Sequence, residues 1–214
     1  MLGNPWSYDT AQLNILSAGY QFETHNVVTE DGYILEVWRI PARRGDKPNP
    51  AKLPVLYQHG LMVSGASWII GDPKNSSWYQ ALNQGHDVWI ANSRGNAYAN
   101  QHIDDGLADS LSSRGKNFWK FSFDHMAEYD LPATIDYILE STGHKKLHIV
   151  AHSQGCQVSL LSHSFNNGVK DKIASLSLIA PIFYTSNTKA IFTVLSAKFH
   201  LSELLIGMGL THMS

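Results

Sequence analysis

The segment Val150-Ala151-His152-Ser153-Gln154-Gly155-Cys156 joins an apolar run, KLHIVA, to a stretch with helical spacing, so Ser153 falls on the corner between a buried strand and a helix. A side chain forced into so tight a turn stands clear of its own backbone, and a serine there is presented as a nucleophile. The positions two before and two after must be small, because strand and helix pass close together. Gly155 meets that demand, and Ala151 carries one methyl where glycine is the commoner occupant. A helix opening just beyond the serine brings free N–H groups and partial positive charge, which favour an anion forming beside it. The amide of Gln154, next after the serine, is the first candidate donor. The plainer reading of the same residues makes Ser153 an ordinary helix N-cap.

A second feature belongs to the same chemistry. His59-Gly60-Leu61 closes another compact apolar run, residues 53–58. A His-Gly pair alone is only a turn. At the end of a central strand of the same sheet, its loop can supply another backbone donor to a tetrahedral oxyanion, and such donors are commonly worth about 3 kcal/mol each. The expected chemistry is therefore attack of a serine hydroxyl on an acyl carbonyl. A serine alcohol needs a histidine base, itself oriented by a carboxylate. In this arrangement both follow the serine in the chain. Asp171 precedes the next strand and is wrongly placed for the acid, while His200 and His212 lie in an apolar tail. The chain is thus expected to carry a nucleophile without its acid and base. His152 adjoins Ser153, but neighbours on a strand face opposite sides. His144, His148 and His152 are spaced by four yet cross a turn into a strand, so no metal site is expected, and no cofactor is implied. Cys156 reads as a small packed hydrophobe, and a lone cysteine allows no disulfide within the chain.

The elements that position these residues are read from periodicity and turn chemistry. Residues 9–18 read as a short helix. Residues 21–29 and 33–40 read as strands joined by Glu30-Asp31-Gly32, where glycine takes the positive φ of a tight hairpin. After a polar loop, strands are expected at 53–58, 86–91, 146–151 and 173–180, and helices at 76–83, 124–140 and 155–165. Residues 92–117 read as a loop. Pro132 inside the long helix predicts a kink or a restart capped by Asp130. Strand and helix alternating in this way make an α/β fold, with a mostly parallel sheet, an N-terminal antiparallel hairpin and truncation before the last strands. Residues 1–181 are expected to form this partial core, and 182–214 the start of a covering region.

Composition narrows the function classes. Sixteen Lys plus Arg against 18 Asp plus Glu leave a net charge of −2, which offers no electrostatic footprint for nucleic acid. No apolar run approaches the length of a spanning helix. The Met1–Ser7 segment has neither a basic leader nor an apolar run, so no signal peptide is expected in this chain.

The chain resembles the acid lipases, the gastric and lysosomal type within the α/β-hydrolases. The resemblance is carried by Thr29-Glu30-Asp31-Gly32-Tyr33-Ile34-Leu35, by Gln58-His59-Gly60-Leu61, and by Asp87-Val88-Trp89-Ile90 leading to Asn92-Ser93-Arg94-Gly95-Asn96. It continues through Phe118-Trp119, Phe121-Ser122-Phe123-Asp124 and Tyr129-Asp130-Leu131-Pro132-Ala133-Thr134-Ile135-Asp136 to His152-Ser153-Gln154-Gly155. The resemblance implies Ser153 as nucleophile, with the amides of Leu61 and Gln154 as oxyanion donors. It implies neutral lipid esters, such as triacylglycerols or cholesteryl esters, met at a lipid–water interface. It also implies secreted or lysosomal residence, with which the sequon Asn75-Ser76-Ser77 is compatible as a glycosylation site. Two other readings stand beside it: a shortened, inactive relative that binds lipid or a partner, and a serine hydrolase for another acyl substrate.

Overall fold

Three runs of apolar residues too short for helices, each bounded by turn residues, become the middle of a sheet. In a computed structural model, which describes residues 8–104, 117–165 and 168–184, the first of them is β3 (Val55–Gln58), buried at every position. On either side of it lie β4 (Val88–Ile90) and β6 (Leu147–His152), both parallel to it. β7 (Ile173–Ile179) extends the parallel set beyond β6. The N-terminal hairpin, β1 (Glu23–Val28) and β2 (Tyr33–Ile40), runs antiparallel and joins through β2 to β4, so the order is β1-β2-β4-β3-β6-β7. The expected α/β-hydrolase core, a mixed sheet with an antiparallel start, is thus present in the described residues. One strand was not legible: β5 (Gln101–His102) lies in the loop expected over 92–117 and pairs with Tyr33 and Ile34 of β2. Two residues are too few for any alternation to show.

Period-two alternation sends neighbouring side chains into two separate cores. Leu35, Val37, Leu56, Trp89, Ile149 and Ala151 face one, under α3 (Leu131–Thr142) and α4 (Gln154–Ser164). Trp38, Ile40, Val55, Tyr57, Val88 and Ile90 face the other, with Ile15 of α1 (Tyr8–Ser17) and Trp78 of α2 (Ser77–Asn83). Such a sheet, covered on both faces, is what unbroken apolar strands require. A short helix, α5 (Val169–Lys172), leads into β7.

The helical stretch expected over 124–140 is continuous but not uniform. A capped turn at Phe123–His125 passes into a π-helical turn at Met126–Asp130 and then into α3. The Leu131 amide bonds back to the Met126 carbonyl, five residues away, and Pro132, which has no N–H to offer, sits in the first turn of α3. The proline is therefore accommodated by a π register within a continuous helical stretch, without the restart capped by Asp130. Asp130 does not cap the helix with its side chain; it turns to Arg94 instead.

That pairing anchors three loops. The wholly buried Arg94 guanidinium forks onto both oxygens of Asp31 at 2.6 and 2.8 Å, and its Nε donates to Asp130 Oδ1 at 2.7 Å. Its backbone N–H donates to the other Asp130 oxygen at 3.0 Å, and its carbon lies 3.9 Å above the Tyr33 ring. Hairpin, post-β4 loop and π-helical turn are thus tied to one cation. Replacing it, Arg94→Leu, is expected to cost about 3 kcal/mol or more by stranding two carboxylates, as measured by urea unfolding. Arg94→Lys is expected to recover little, because an ammonium cannot fork between them.

Candidate active site

Ser153 occupies the corner between β6 and α4, with φ 53° and ψ −118°, a left-handed φ that costs a non-glycine residue about 1–3 kcal/mol. Its N–H donates to the Ile179 carbonyl at 3.0 Å, and its own carbonyl accepts from Cys156 N–H at 3.0 Å. The corner is therefore held from the end of β7 as well as from within the helix. Its side chain makes no cap bond to the helix, so Ser153 is not an ordinary side-chain N-cap. Cys156 is buried beneath the corner, its Sγ 3.2 Å from Ala151 O and 3.3 Å from Ile179 O, and burial raises its pKa. It packs as a small hydrophobe and also joins the ends of two strands.

The reason for glycine at 155 is more particular than a strand and its own helix crowding each other. A Cβ there would lie 2.5 Å from His59 O and 2.8 Å from Gln58 O, carbonyls at the end of β3. The first turn of α4 thus rests on the neighbouring strand. Gly60 makes the reciprocal approach: a Cβ on it would lie 3.0 Å from Ser153 Cβ and 3.3 Å from His152 O. The loop after β3 is in this way pressed against the serine corner. Leu61 and Met62 follow, 63% and 77% exposed, with Met62 at φ 59°. Among the described residues, neither the Leu61 nor the Gln154 N–H donates a hydrogen bond.

Sequence reasoning missed what holds that loop. His59 is buried, its Nε2 accepts from Ser93 N–H at 3.0 Å, and its Nδ1 lies 2.8 Å from Gly60 O. Burial lowers its pKa to about 4, with the Gly60 bond acting the other way, so the ring is neutral at ordinary pH. The Asn92-Ser93-Arg94-Gly95-Asn96 motif was the available signal, yet nothing in its residue types says that it reaches His59. On the other side of Arg94, burial pushes the Asp130 carboxyl up to about 6 despite the guanidinium pulling it down.

The remaining candidates scatter. His152 is exposed, with its ring 6.4 Å from that of Trp68, and His148 bonds Ser175. Asp171 lies in α5, at the far end of β7 from the serine corner. Among the described residues no histidine hydrogen-bonds the Ser153 hydroxyl, and no three His, Cys, Asp or Glu are grouped to hold a metal. His200, His212 and most of the region 182–214 lie outside the described residues. Asn75 is exposed at the end of a 3₁₀ turn, Pro73–Asn75. A cleft of about 460 Å³ lined by Pro41, Arg43, Asp46, Leu82 and Asn83 includes none of the serine-corner residues.

Two outcomes are expected. Gly155→Ala should destabilise the chain by about 1–3 kcal/mol in thermal or urea unfolding, because its Cβ meets fixed carbonyls. The two buried groups act oppositely with pH. His59, depressed, gives stability above pH 6.5 that is lost as pH falls through 4, in all about 3 kcal/mol. Asp130, raised, gives stability below pH 3.8 that is lost as pH rises through 6. Asp130→Asn should therefore make unfolding stability fall more steeply between pH 6.5 and 4 than in the unaltered chain.

Comparison with known proteins agrees with this fold. Residues 54–203 match the family model for the alpha/beta hydrolase fold, and residues 12–72 match that for a partial alpha/beta-hydrolase lipase region. Gastric triacylglycerol lipase of Bos taurus is 43% identical over 183 residues, covering 85% of this chain and 45% of the relative. Lipase member K of Homo sapiens is 38% identical, covering 92% of this chain and 52% of the relative. The chain spans about half the length of the curated relatives it matches. A solved esterase of Pyrococcus furiosus shares the fold, with a TM-score of 0.55 at 16% identity, over 98% of this chain and 69% of that one. From the extent of these matches, the chain belongs to the alpha/beta-hydrolase fold family and stands with the acid lipases within it.

Proposed function

We propose that this chain carries the nucleophile and the oxyanion donors of an acid-lipase-type ester hydrolase. The observation that carries the reading is the left-handed Ser153 at the β6–α4 corner with the Gly60-Leu61 loop packed against it. Ser153 Oγ attacks the ester carbonyl carbon while a base takes its proton. The carbonyl oxygen, now negative, accepts from the N–H groups of Leu61 and Gln154, neither of which has an acceptor among the described residues. Collapse of the tetrahedral intermediate expels the alcohol and leaves the acyl group on Ser153, from which water releases the acid. The base and its orienting carboxylate lie outside the described residues.

The substrates in this reading are neutral lipid esters, triacylglycerol above all, the ester named in the gastric relatives. Exposed Leu61 and Met62 beside the corner offer apolar surface to such a molecule. Residues 1–181 serve as catalytic core, and 182–214 begin its cover. The exposed Asn75 sequon supports a secreted or lysosomal setting, and no helix among the described residues is long and apolar enough to cross a membrane. One observation favours the alternative of an inactive lipid- or partner-binding relative: no described histidine reaches the serine hydroxyl.

A fluorophosphonate probe separates the two readings. With imidazole added as a free base, the probe is expected to modify Ser153, located by peptide mass, and Ser153→Ala should abolish the modification while unfolding as the parent does. A parent chain left unmodified at Ser153, with and without imidazole, sinks the hydrolase reading.

A further inference from the structure

Gly60 and Leu61 share one peptide bond, and in a trans peptide the carbonyl and the N–H point in opposite directions. Whatever fixes the Gly60 carbonyl therefore also aims the Leu61 N–H. The Gly60 oxygen lies 2.8 Å from His59 Nδ1 in a buried setting. His59 Nε2 accepts from a backbone N–H, that of Ser93 at 3.0 Å, so the ring proton sits on Nδ1 and is donated to Gly60 O. We propose that His59 is a positioning residue, which locks the Gly60–Leu61 peptide with its N–H turned away from the ring, toward the serine corner. The proposal rests on the reading of Leu61 as an oxyanion donor.

The loop needs such a lock because of Gly60 itself. A larger residue would be tight there, since a Cβ would lie 3.0 Å from Ser153 Cβ and 3.3 Å from His152 O. Glycine, however, is also the residue at which a peptide plane turns most freely. Beyond it the chain is exposed at Leu61 and Met62 and carries the left-handed strain of Met62, so no burial downstream holds the plane. His59 supplies what Gly60 cannot, and its ring is itself held. Asn96 Nδ2 lies 3.3 Å from Nε2, and the orientation of the Asn96 amide is set by Tyr98 N–H donating to Oδ1 at 2.8 Å. The same Asn96 Nδ2 donates to Asn92 Oδ1 at 3.1 Å, which also accepts from Gly65 N–H at 2.8 Å. The loop is thus gripped at Gly60 and again at Gly65, with the exposed Leu61 and Met62 carried between the two holds. The His59 carbonyl meanwhile bears on Gly155 at the start of α4. One residue therefore faces the serine helix with its backbone and orients the neighbouring donor with its ring.

Two conservative replacements separate aiming from mere bracing. The side-chain nitrogen of asparagine reaches the place of Nδ1, whereas the glutamine amide reaches the place of Nε2. If His59 aims the peptide, His59→Gln lowers the rate of Ser153 modification by the fluorophosphonate probe by about 100-fold, the effect of losing one oxyanion donor, and His59→Asn restores it to within about tenfold. The probe concentration giving half-maximal rate stays the same in both. Retention of the rate by His59→Gln with loss in His59→Asn, or retention by both, overturns the proposal. A parent chain whose Ser153 is never modified defeats the hydrolase reading alone, and the aiming is then decided by nuclear magnetic resonance. The Leu61 amide resonance should move in His59→Gln and hold its place in His59→Asn; a resonance unmoved in both overturns it. The unaltered chain provides a check that needs no variant to fold. Its His59 nitrogen spectrum should show the proton on Nδ1, and a proton on Nε2 overturns the assignment.

Discussion

Everything around the serine depends on how closely two parallel strands bring their carboxyl ends together. β3 and β6 are paired from Val55 opposite His148 to Gln58 opposite Ala151, so the chain leaving each strand must turn within the same small space. α4 starts against the last carbonyls of β3, and the loop leaving β3 lies against the Cβ of Ser153. A Cβ at Gly155 would clash with those carbonyls, and one at Gly60 would be tight against Ser153. The left-handed φ of Ser153 follows from the same crowding: a relaxed turn would take α4 off the sheet and give up the packing of Cys156 and Val158 in the core. Burial of those side chains, worth about 1.5–3 kcal/mol for a large aliphatic one, outweighs the backbone strain of a single residue.

The polar residues behind this corner form a second level of constraint. Apolar packing places strands and helices, but it does not set the rotation of an exposed peptide plane. Here that is done by directed bonds among His59, Ser93 and Asn92, which are buried, and the half-buried Asn96; a buried bond left unmade is expensive. Arg94, next in the chain to Ser93, carries the tie onward to Asp31 in the hairpin and Asp130 in the π-helical turn. The loop after β3 is thereby connected to the hairpin and to the π-helical turn, which itself packs against α4. The π register has its own part in this: it admits Pro132 and leaves the Asp130 side chain free of capping.

Much of this was legible from the amino-acid order. The hairpin around Asp31-Gly32, the buried strands and the serine corner all rest on local rules: positive φ at glycine, alternation along a strand, apolar runs bounded by turn residues. Those rules act over a few residues, and they placed β2 and the ends of β6 and α4 to within a residue or two. Where local signals were absent, so was the reading. β5 has two residues and exists because β2 offers it an edge, and Asp130 looked like a cap because serine, aspartate and asparagine so often are.

The order of residues alone determined that a serine would stand between a strand and a helix, with a small residue on each side, in a sheet carrying a His-Gly turn on another strand. Only the tertiary structure decided what those small residues are for, and which way the turn's amide faces. The reason is physical. Turn geometry is written in neighbouring residues, whereas a glycine's steric partner and a histidine's tautomer are set by atoms from strands far apart in sequence. Gly155 meets His59 and Gln58, and His59 meets Ser93, only once β3, β4 and β6 lie side by side.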